Sequence, residues 1–558
     1  MGMVTKPTRD GRHAMLEQFI ADGIPFMFGN PGTVEEGFLD VMSEYRDRIE
    51  YIFALQESIA VAAADGYARA TQKIGLIQLH SVVGLGNGMG NLYQAFRGHS
   101  PLLVIAGEAG TQYAGMDAQM AADLVQVARP VTKYATRVTH PTSVLRTLRH
   151  AIRLALTPPA GPVFVALPMD VLDAENGEEV RPTQRLNTAT SPNSDVIQQI
   201  AELLRGASRP IVVVGDGVAY SGGSREVTRI ATLIGAEVWG ANSAEINVDP
   251  TCPLFRGQLG HMFAANSEKR TRDADVVLVC GTYLFPEVFP ELDEEKVFAL
   301  TAQIVHIDLD AYEIGKNFRI SVGVVSDPKE TLARVADRLA SIQSPEDVRE
   351  ARQRTETIRA LTQSTISTNA ADAGRIISLE PFAAALAKRL PADFMIFDEA
   401  LTHSPELIRG LVSREPGSYF QTRGGSLGVG IPGAIGMKLA NPDRTVVGFS
   451  GDGGSLYTIQ ALWTAAHHRI DVKFVICNNR SYRILKWNIE EYWRERGEEA
   501  HAFPPSFDIG DPNVRFADLA KSLGVEGETV EHPKQIETAI ERALNHPGPY
   551  LIDLVISD

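Results

Sequence analysis

The sequence predicts an α/β protein of three doubly wound, parallel-sheet domains, and three observations carry the prediction. Short apolar runs of strand length recur along the whole chain, among them Leu102 to Ala106, Pro210 to Val214, Val472 to Cys477 and Tyr550 to Val555. Helical stretches separate them, so the pattern alternates strand and helix as a parallel sheet requires. A chain of 558 residues also exceeds what a single hydrophobic core holds.

The elements follow in order. In residues 1–186, His13 to Asp22 reads as a helix, Pro25 to Gly29 as a strand, and Thr33 to Tyr45 as a helix opening after Asn30-Pro31-Gly32. Tyr51 to Ala54 is a strand, Glu57 to Ala70 an alanine-rich helix, and Gly75 to His80 a strand followed by a glycine-dense turn, Gly84 to Gly90. Leu102 to Ala106 and Pro162 to Ala166 are further buried strands. Asn187 to Asp195 is a Ser/Thr/Asn/Pro linker. A second domain, 196–342, carries strands at Pro210 to Val214, Asp275 to Cys280 and Ile304 to Leu309, and residues 341–375 form a polar, partly helical connector. The third domain, 376–558, has strands at Asp393 to Phe397, Thr445 to Ser450, Val472 to Cys477 and Tyr550 to Val555.

A hydrophobic content of 44% with 22% charged residues is that of an ordinary globular protein. The net charge of −16 is dispersed and argues against a nucleic-acid surface. The three cysteines, Cys252, Cys280 and Cys477, form no CxxC or Cys/His cluster and read as buried thiols of a reducing compartment. No apolar run is long enough to span a membrane, and the polar N-terminus, Met1 to Arg12, does not resemble a signal peptide, so a cytoplasmic location is expected.

The chemistry centres on Gly451-Asp452-Gly453, followed at the end of the next strand by Asn478-Asn479. Strand, glycine turn, helix, strand is one right-handed βαβ unit, which brings Asp452 and Asn479 together at the carboxyl ends of adjacent strands, where open α/β sheets bind ligands. A carboxylate, an amide oxygen and backbone carbonyls suit Mg²⁺ or Ca²⁺, and the glycines let backbone N–H groups approach a phosphate. Gly215-Asp216-Gly217 is a control: no Asn-Asn pair follows it, and it reads as a strand-end turn. Gly428-Val429-Gly430-Ile431-Pro432-Gly433 matches GxGxxG but lacks a preceding strand, and reads as a loop feeding a packed helix. Glu57, opening an apolar helix, reads either as an ordinary first-turn acid or as a desolvated functional one. His80 and Gln119 are not assigned by the residues around them.

Together these residues resemble the thiamine-diphosphate enzymes, in the group that includes benzoylformate decarboxylase and acetolactate synthase. The resemblance rests on Gly451-Asp452-Gly453 with Asn478-Asn479, Leu55-Gln56-Glu57, Gly29-Asn30-Pro31-Gly32, Leu79-His80-Ser81, His99-Ser100-Pro101-Leu102 and Ala461 to Ala466. It implies a pyrimidine-binding, a central and a diphosphate-binding domain, in that order. It also implies thiamine diphosphate and Mg²⁺ (or Ca²⁺) as cofactors, the metal held by Asp452, Asn479 and the main chain of Ser481. Asn30, Pro31, Gly32, Glu57, Thr402, Gly425, Leu427, Gly453, Gly454, Ser455 and Tyr482 would contact the cofactor. Glu57 would hydrogen-bond the aminopyrimidine ring, Gly425 would offer a carbonyl to its exocyclic amine, and Leu427 would enforce the cofactor's folded shape. FAD is not expected, although a nucleotide in the central domain is left open. Because Glu57 and the metal ligands come from different domains, the family's arrangement places the site between two subunits, at least a dimer and by expectation a tetramer.

The resemblance also implies a substrate class, a 2-oxo acid, with Glu57, His80 and Gln119 as catalytic residues. Thr33, His80, Gln119, Ile484 and Asn488 would line the substrate pocket. Two departures pull against a benzoylformate decarboxylase. Thr33 replaces a serine, and Phe285-Pro286-Glu287-Val288 stands where a second catalytic histidine is found. Gln119 is shared with carboligases of the acetolactate synthase and benzaldehyde lyase types. The expected reaction is therefore decarboxylation of an aromatic or branched 2-oxo acid to an aldehyde, with carboligation or lyase chemistry as the alternative. The polar run Arg480 to Lys486 reads as solvated basic side chains on a helix, with recognition of a charged substrate as the alternative.

Overall fold

The computed structural model describes residues 9–260, 262–285, 287–367, 377–412 and 415–557, with side chains left undescribed over 362–367. Pro286, part of the stretch compared with the second histidine, and the N-terminal residues before Arg9 lie outside them, as does the end of the connector, 368–375.

Three α/β sheets are present, as expected. The first is wholly parallel, in the order Glu50–Phe53, Phe26–Gly29, Gly75–Leu79, Leu102–Glu108, Val163–Pro168, Tyr134–Arg137. Its inner strands are buried on both faces, which is why they read as continuous apolar runs rather than alternating ones. The last contains five parallel strands, Met395–Glu399, Val446–Gly451, Lys473–Asn478, Tyr550–Val555 and Glu526–Val530, in that order. These two sheets belong to one compact unit. The central sheet forms a unit of its own, with parallel strands ordered Phe255–Gln258, Glu237–Gly240, Pro210–Val214, Val276–Cys280, Gln303–Asp308, Val322–Val325. The connector is more regular than expected, a helix over Pro345–Ser367. The three cysteines are free; Cys280 and Cys477 are buried and Cys252 is half-buried.

Within the first unit, the helix Glu57–Thr71 packs on the helix Gly430–Ala440 with almost no side chain between them. A Cβ on Gly66 would stand 2.1 Å from the carbonyl oxygen of Gly433, and one on Gly436 would stand 1.8 Å from that of Ala63. The alanine-rich helix and the GxGxxG segment are thus two halves of one close contact, consistent with the non-nucleotide reading of that motif. Pro432 occupies the first helical turn, where its missing N–H costs nothing.

One expectation is overturned. Gly84 to Gly90 is not a turn but the interior of a helix, Ser81–Arg97. Glycine is the weakest helix former after proline, but tertiary contact overrides propensity here. A Cβ on Gly84 would lie 3.0 Å from Glu57 Oε1 and 3.2 Å from His80 Cβ, and one on Gly88 would meet Val61 at 3.2 Å. The glycines let this helix lie against the Glu57 helix. His80 is accordingly the residue that caps a helix, not the end of a strand before a loop.

If the backbone approach of the two helices is obligatory, Gly436→Ala should cost about 1–3 kcal/mol, the range for overpacking a filled core. Thermal unfolding followed by circular dichroism should show a lowered midpoint, and an unchanged midpoint would contradict this packing.

Candidate active site

Strands Val446–Gly451 and Lys473–Asn478 are parallel neighbours with Gly451 opposite Cys477, so their carboxyl ends emerge side by side. Asp452 and Asn479 are the next residues, as the spacing predicts. The Asp452 carboxylate, 5% exposed, accepts the backbone N–H groups of Gly453 at 2.8 Å and Arg480 at 2.5 Å. Arg480 takes a left-handed conformation (φ 60°) to turn its N–H inward. Asn479 Oδ1 accepts the N–H of Ser481 at 3.1 Å. Burial pushes the Asp452 carboxyl up to about 6, against the pull of these backbone donors. Gly453 is covered by Tyr482, whose ring carbon would be 2.4 Å from any Cβ there. Ser455, fully buried, donates its hydroxyl to the Asp452 carbonyl at 2.8 Å.

A brace not foreseen in the sequence joins this turn to the Gly424–Gly430 loop. Glu399, wholly buried at the end of a central strand, accepts the N–H groups of Gly428 (2.6 Å) and Gly430 (2.7 Å) and the Ser450 hydroxyl (2.9 Å). Burial raises its pKa while those donors lower it. It holds in place the loop that carries Gly425 (φ 78°) and half-buried Leu427. Thr402 sits in the short turn Leu401–His403 that follows the Glu399 strand.

The second group is built on the first sheet. Glu57, 5% exposed, opens its helix, and amides of Asn87 (3.0 Å) and Asn30 (3.4 Å) face its two carboxylate oxygens. The apolar setting expected of this acid is therefore only partial. The His80 ring lies over Gly32, where a Cβ would be 1.9 Å from Nδ1. Asn30, Gly32, Glu57 and His80 are thus brought together, with Gly84 between Glu57 and His80. Pro31 is exposed beside them. His80 Nδ1 also meets Glu35, a residue that sequence reasoning missed, at 2.8 Å. Nothing in Thr33-Val34-Glu35-Glu36 distinguishes Glu35 from its exposed neighbour Glu36. Glu399 left a fainter signal: it is the second of two acids, after Asp398, that close the apolar run Met395–Phe397.

Thr33 is exposed at the start of a short 3-10 turn, and Ile484 and Asn488 are half-buried on the helix Arg483–Arg496. Gln119 is exposed, and among the described residues no hydrogen bond joins it to Glu57 or His80. The basic run corrects one expectation. Arg483 is not simply solvated, since its Nη1 lies 3.2 Å from Nε2 of buried His403 and its guanidinium stacks on Trp487 at 4.7 Å. Among the described residues no hydrogen bond or ion pair joins Glu57 to Asp452 or Asn479. Asn91 does bridge the Glu57 group to the Gly424–Gly430 loop, donating to the Ser58 carbonyl at 3.0 Å and accepting from Ser426 at 2.8 Å.

Three family models match successive parts of the chain. They are the thiamine pyrophosphate enzyme N-terminal TPP-binding domain over residues 9–127, its central domain over 197–335 and its C-terminal TPP-binding domain over 402–554. The chain belongs to the thiamine pyrophosphate enzymes. A benzoylformate decarboxylase of Pseudomonas aeruginosa is 29% identical over 539 residues, covering 95% of this chain and 96% of that protein. A probable acetolactate synthase large subunit of Methanocaldococcus jannaschii is 28% identical over 560 residues, covering 98% and 92%. Among solved structures, the thiamine diphosphate-dependent 4-hydroxybenzoylformate decarboxylase of Rhodococcus jostii superposes with a TM-score of 0.86 at 28% identity, covering 98% of this chain and 99% of that one. This thiamine pyrophosphate enzyme has no helix among the described residues long and apolar enough to cross a membrane.

The donor set fits the metal such a cofactor is carried with. One carboxylate, one amide and one main-chain carbonyl are hard oxygen donors, and three of them leave positions for diphosphate oxygens and water around Mg²⁺ or Ca²⁺. The folded pKa of Asp452 lies above its ordinary value of 3.8, so the proton favours the folded apoprotein. Its contribution to stability is full at low pH and falls by about 3 kcal/mol as pH rises from about 4 to about 6. A proton and a cation compete for the same oxygens. Mg²⁺ binding measured by calorimetry with thiamine diphosphate present should be level above pH 6 and weaken about tenfold per unit below it. Asp452→Ala should abolish metal-dependent cofactor binding, and retained binding would remove Asp452 from the metal site.

Proposed function

We propose that this thiamine pyrophosphate enzyme decarboxylates an aromatic or branched 2-oxo acid without oxidation, releasing CO₂ and an aldehyde. The observation that carries the reading is the placement of His80, whose β-carbon lies across Gly84 from the Glu57 carboxylate and whose ring lies over Gly32. When bound, thiamine diphosphate supplies the electron sink for the pair freed as CO₂ departs. Asp452, Asn479 and the Ser481 carbonyl would hold Mg²⁺. Glu57, oriented by Asn30 and Asn87, hydrogen-bonds the aminopyrimidine ring. His80 delivers a proton to the carbon that CO₂ leaves. The enzyme is a homo-oligomer, at least a dimer and by this reading a tetramer, in which the Glu57 group of one subunit faces the Asp452 group of the other.

Carboligation of the acetolactate synthase type is favoured by a different observation. Glu287, in the stretch aligned with a second catalytic histidine, turns inward, bonds the Ser267 hydroxyl and is buried. Glu287 is therefore no exposed replacement acid in that stretch. A single proton-transfer group slows protonation and leaves more time for a second carbonyl compound to react.

A product-resolved assay on a panel of 2-oxo acids separates the two readings. Equal amounts of CO₂ and aldehyde from aromatic or branched acids support decarboxylation; ligated product from pyruvate with no free aldehyde rejects it. Glu57→Gln should keep the fold and most cofactor affinity yet slow cofactor C2–H/D exchange by at least about 10²-fold, the usual worth of a positioned acid–base group. Unchanged exchange would sink the role given to Glu57.

A further inference from the structure

Glu35 is a carboxylate with no exposed side-chain surface, in a first-domain turn that the active-site assignment leaves unused. Its Oε1 accepts the N–H of Gly107 at 2.8 Å and that of Ser81 at 3.4 Å. Its Oε2 faces His80 Nδ1 at 2.8 Å. Ser81 takes φ +46°, an unfavourable conformation for a residue with a side chain, at the position that aims its N–H at this carboxylate. Gly107 is needed for the same reason, since a Cβ there would lie 2.6 Å from Glu35 Oε1. Two backbone donors, one of them from the strained Ser81, converge on a carboxylate whose single side-chain partner among the described residues is His80.

We propose that Glu35 is a positioning residue that engages Nδ1 of His80 and so leaves Nε2 as the ring nitrogen that exchanges protons with the reacting carbon. An imidazole has two inequivalent nitrogens, and the hydrogen bond made by one decides what the other does. His80 keeps 19% of its side-chain surface exposed while Glu35 keeps none, and Nε2 has no hydrogen-bond partner among the described residues. Gly32 closes the ring's other side, because only a glycine leaves room for it. The ring is therefore fixed in position and in tautomer. In the transfer itself, the Nε2–H bond breaks and a C–H bond forms. Nε2 keeps the electron pair, and Glu35 stabilises the imidazolium before the proton leaves. The other titratable groups near the pair are Tyr51, which feels both Glu35 and Glu57, and Glu57 itself across Gly84. Glu108, next to Gly107, is already paired with Arg137.

The inference rests on the role proposed for His80, and the test separates the two. In histidine-selective ¹⁵N magic-angle-spinning NMR of the full chain, His80 is assigned by the signal lost in His80→Gln. Its neutral form should be protonated at Nδ1, and Glu35→Gln should mix the tautomers. A wild-type His80 protonated at Nε2 in its neutral form, with Nδ1 bare, would overturn the inference whether or not any variant folds. On the 2-oxo acid that the assay selects, Glu35→Gln should lower kcat by about tenfold to 10²-fold with little change in KM. The limb of the kcat–pH profile that His80→Ala abolishes should move to lower pH. In the His80→Ala background the same substitution should cost nothing further, because residues acting as a unit are not additive. A full additional loss in the double variant would show a merely structural role and reject the proposal. Activity in His80→Ala equal to wild type would instead reject the catalytic reading of His80 and leave the tautomer result to decide the positioning claim.

Discussion

The near-contact of two backbones, the Glu57 helix against the Gly430 helix, is the constraint on which the first unit depends. A carbonyl of each helix occupies the space where the other would carry a side chain, at Gly66 against Gly433 and at Gly436 against Ala63. Such an interface has little freedom to slide, because packed surfaces at this distance have no side chains to rearrange. It fixes the first turn of the Glu57 helix relative to the Gly424–Gly430 loop, and Asn91 with Ser426 adds a polar tie along the same seam. Glu399 carries the constraint on to the strand that leads into the Asp452 turn through two N–H groups and a hydroxyl. The Gly425–Leu427 loop and the Asp452 turn are thus positioned by one buried carboxylate.

Both candidate groups use buried acids, but for different ends. Asp452, at the strand ends beside Asn479, is the acid proposed to exchange its proton for a cation. Glu399 and Glu35 each add a side-chain partner to their backbone donors, the Ser450 hydroxyl and the His80 ring, which suits holding those groups in place. Burial alone would not separate these roles; the partners do.

Much of this was legible in the sequence. The strands were legible because two-sided burial writes them as unbroken apolar runs, and the Asp452–Asn479 pairing because a βαβ unit admits only one arrangement of neighbouring strand ends. Gly84 to Gly90 was misread, because glycine density marks a turn only when nothing presses on the segment. Here Glu57 and Val61 press on it, and helix geometry wins over propensity. Glu35 was illegible for a related reason: its neighbour Glu36 is chemically identical, and only packing tells which one turns inward. Arg483 was misread because a basic run on a helix gives no sign that buried His403 waits opposite one member of it.

Gly84 has a consequence for how such a protein can change over generations. A side chain in place of Gly84 would meet both the Glu57 carboxylate and the His80 β-carbon, so the spacing of these two residues depends on a glycine between them. Selection for a new substrate has no room to act there. In the proposed pocket it is left with the outer positions, Thr33, Ile484 and Asn488, none of which is buried among the described residues. Variation in what is accepted can then proceed while proton transfer is inherited unchanged.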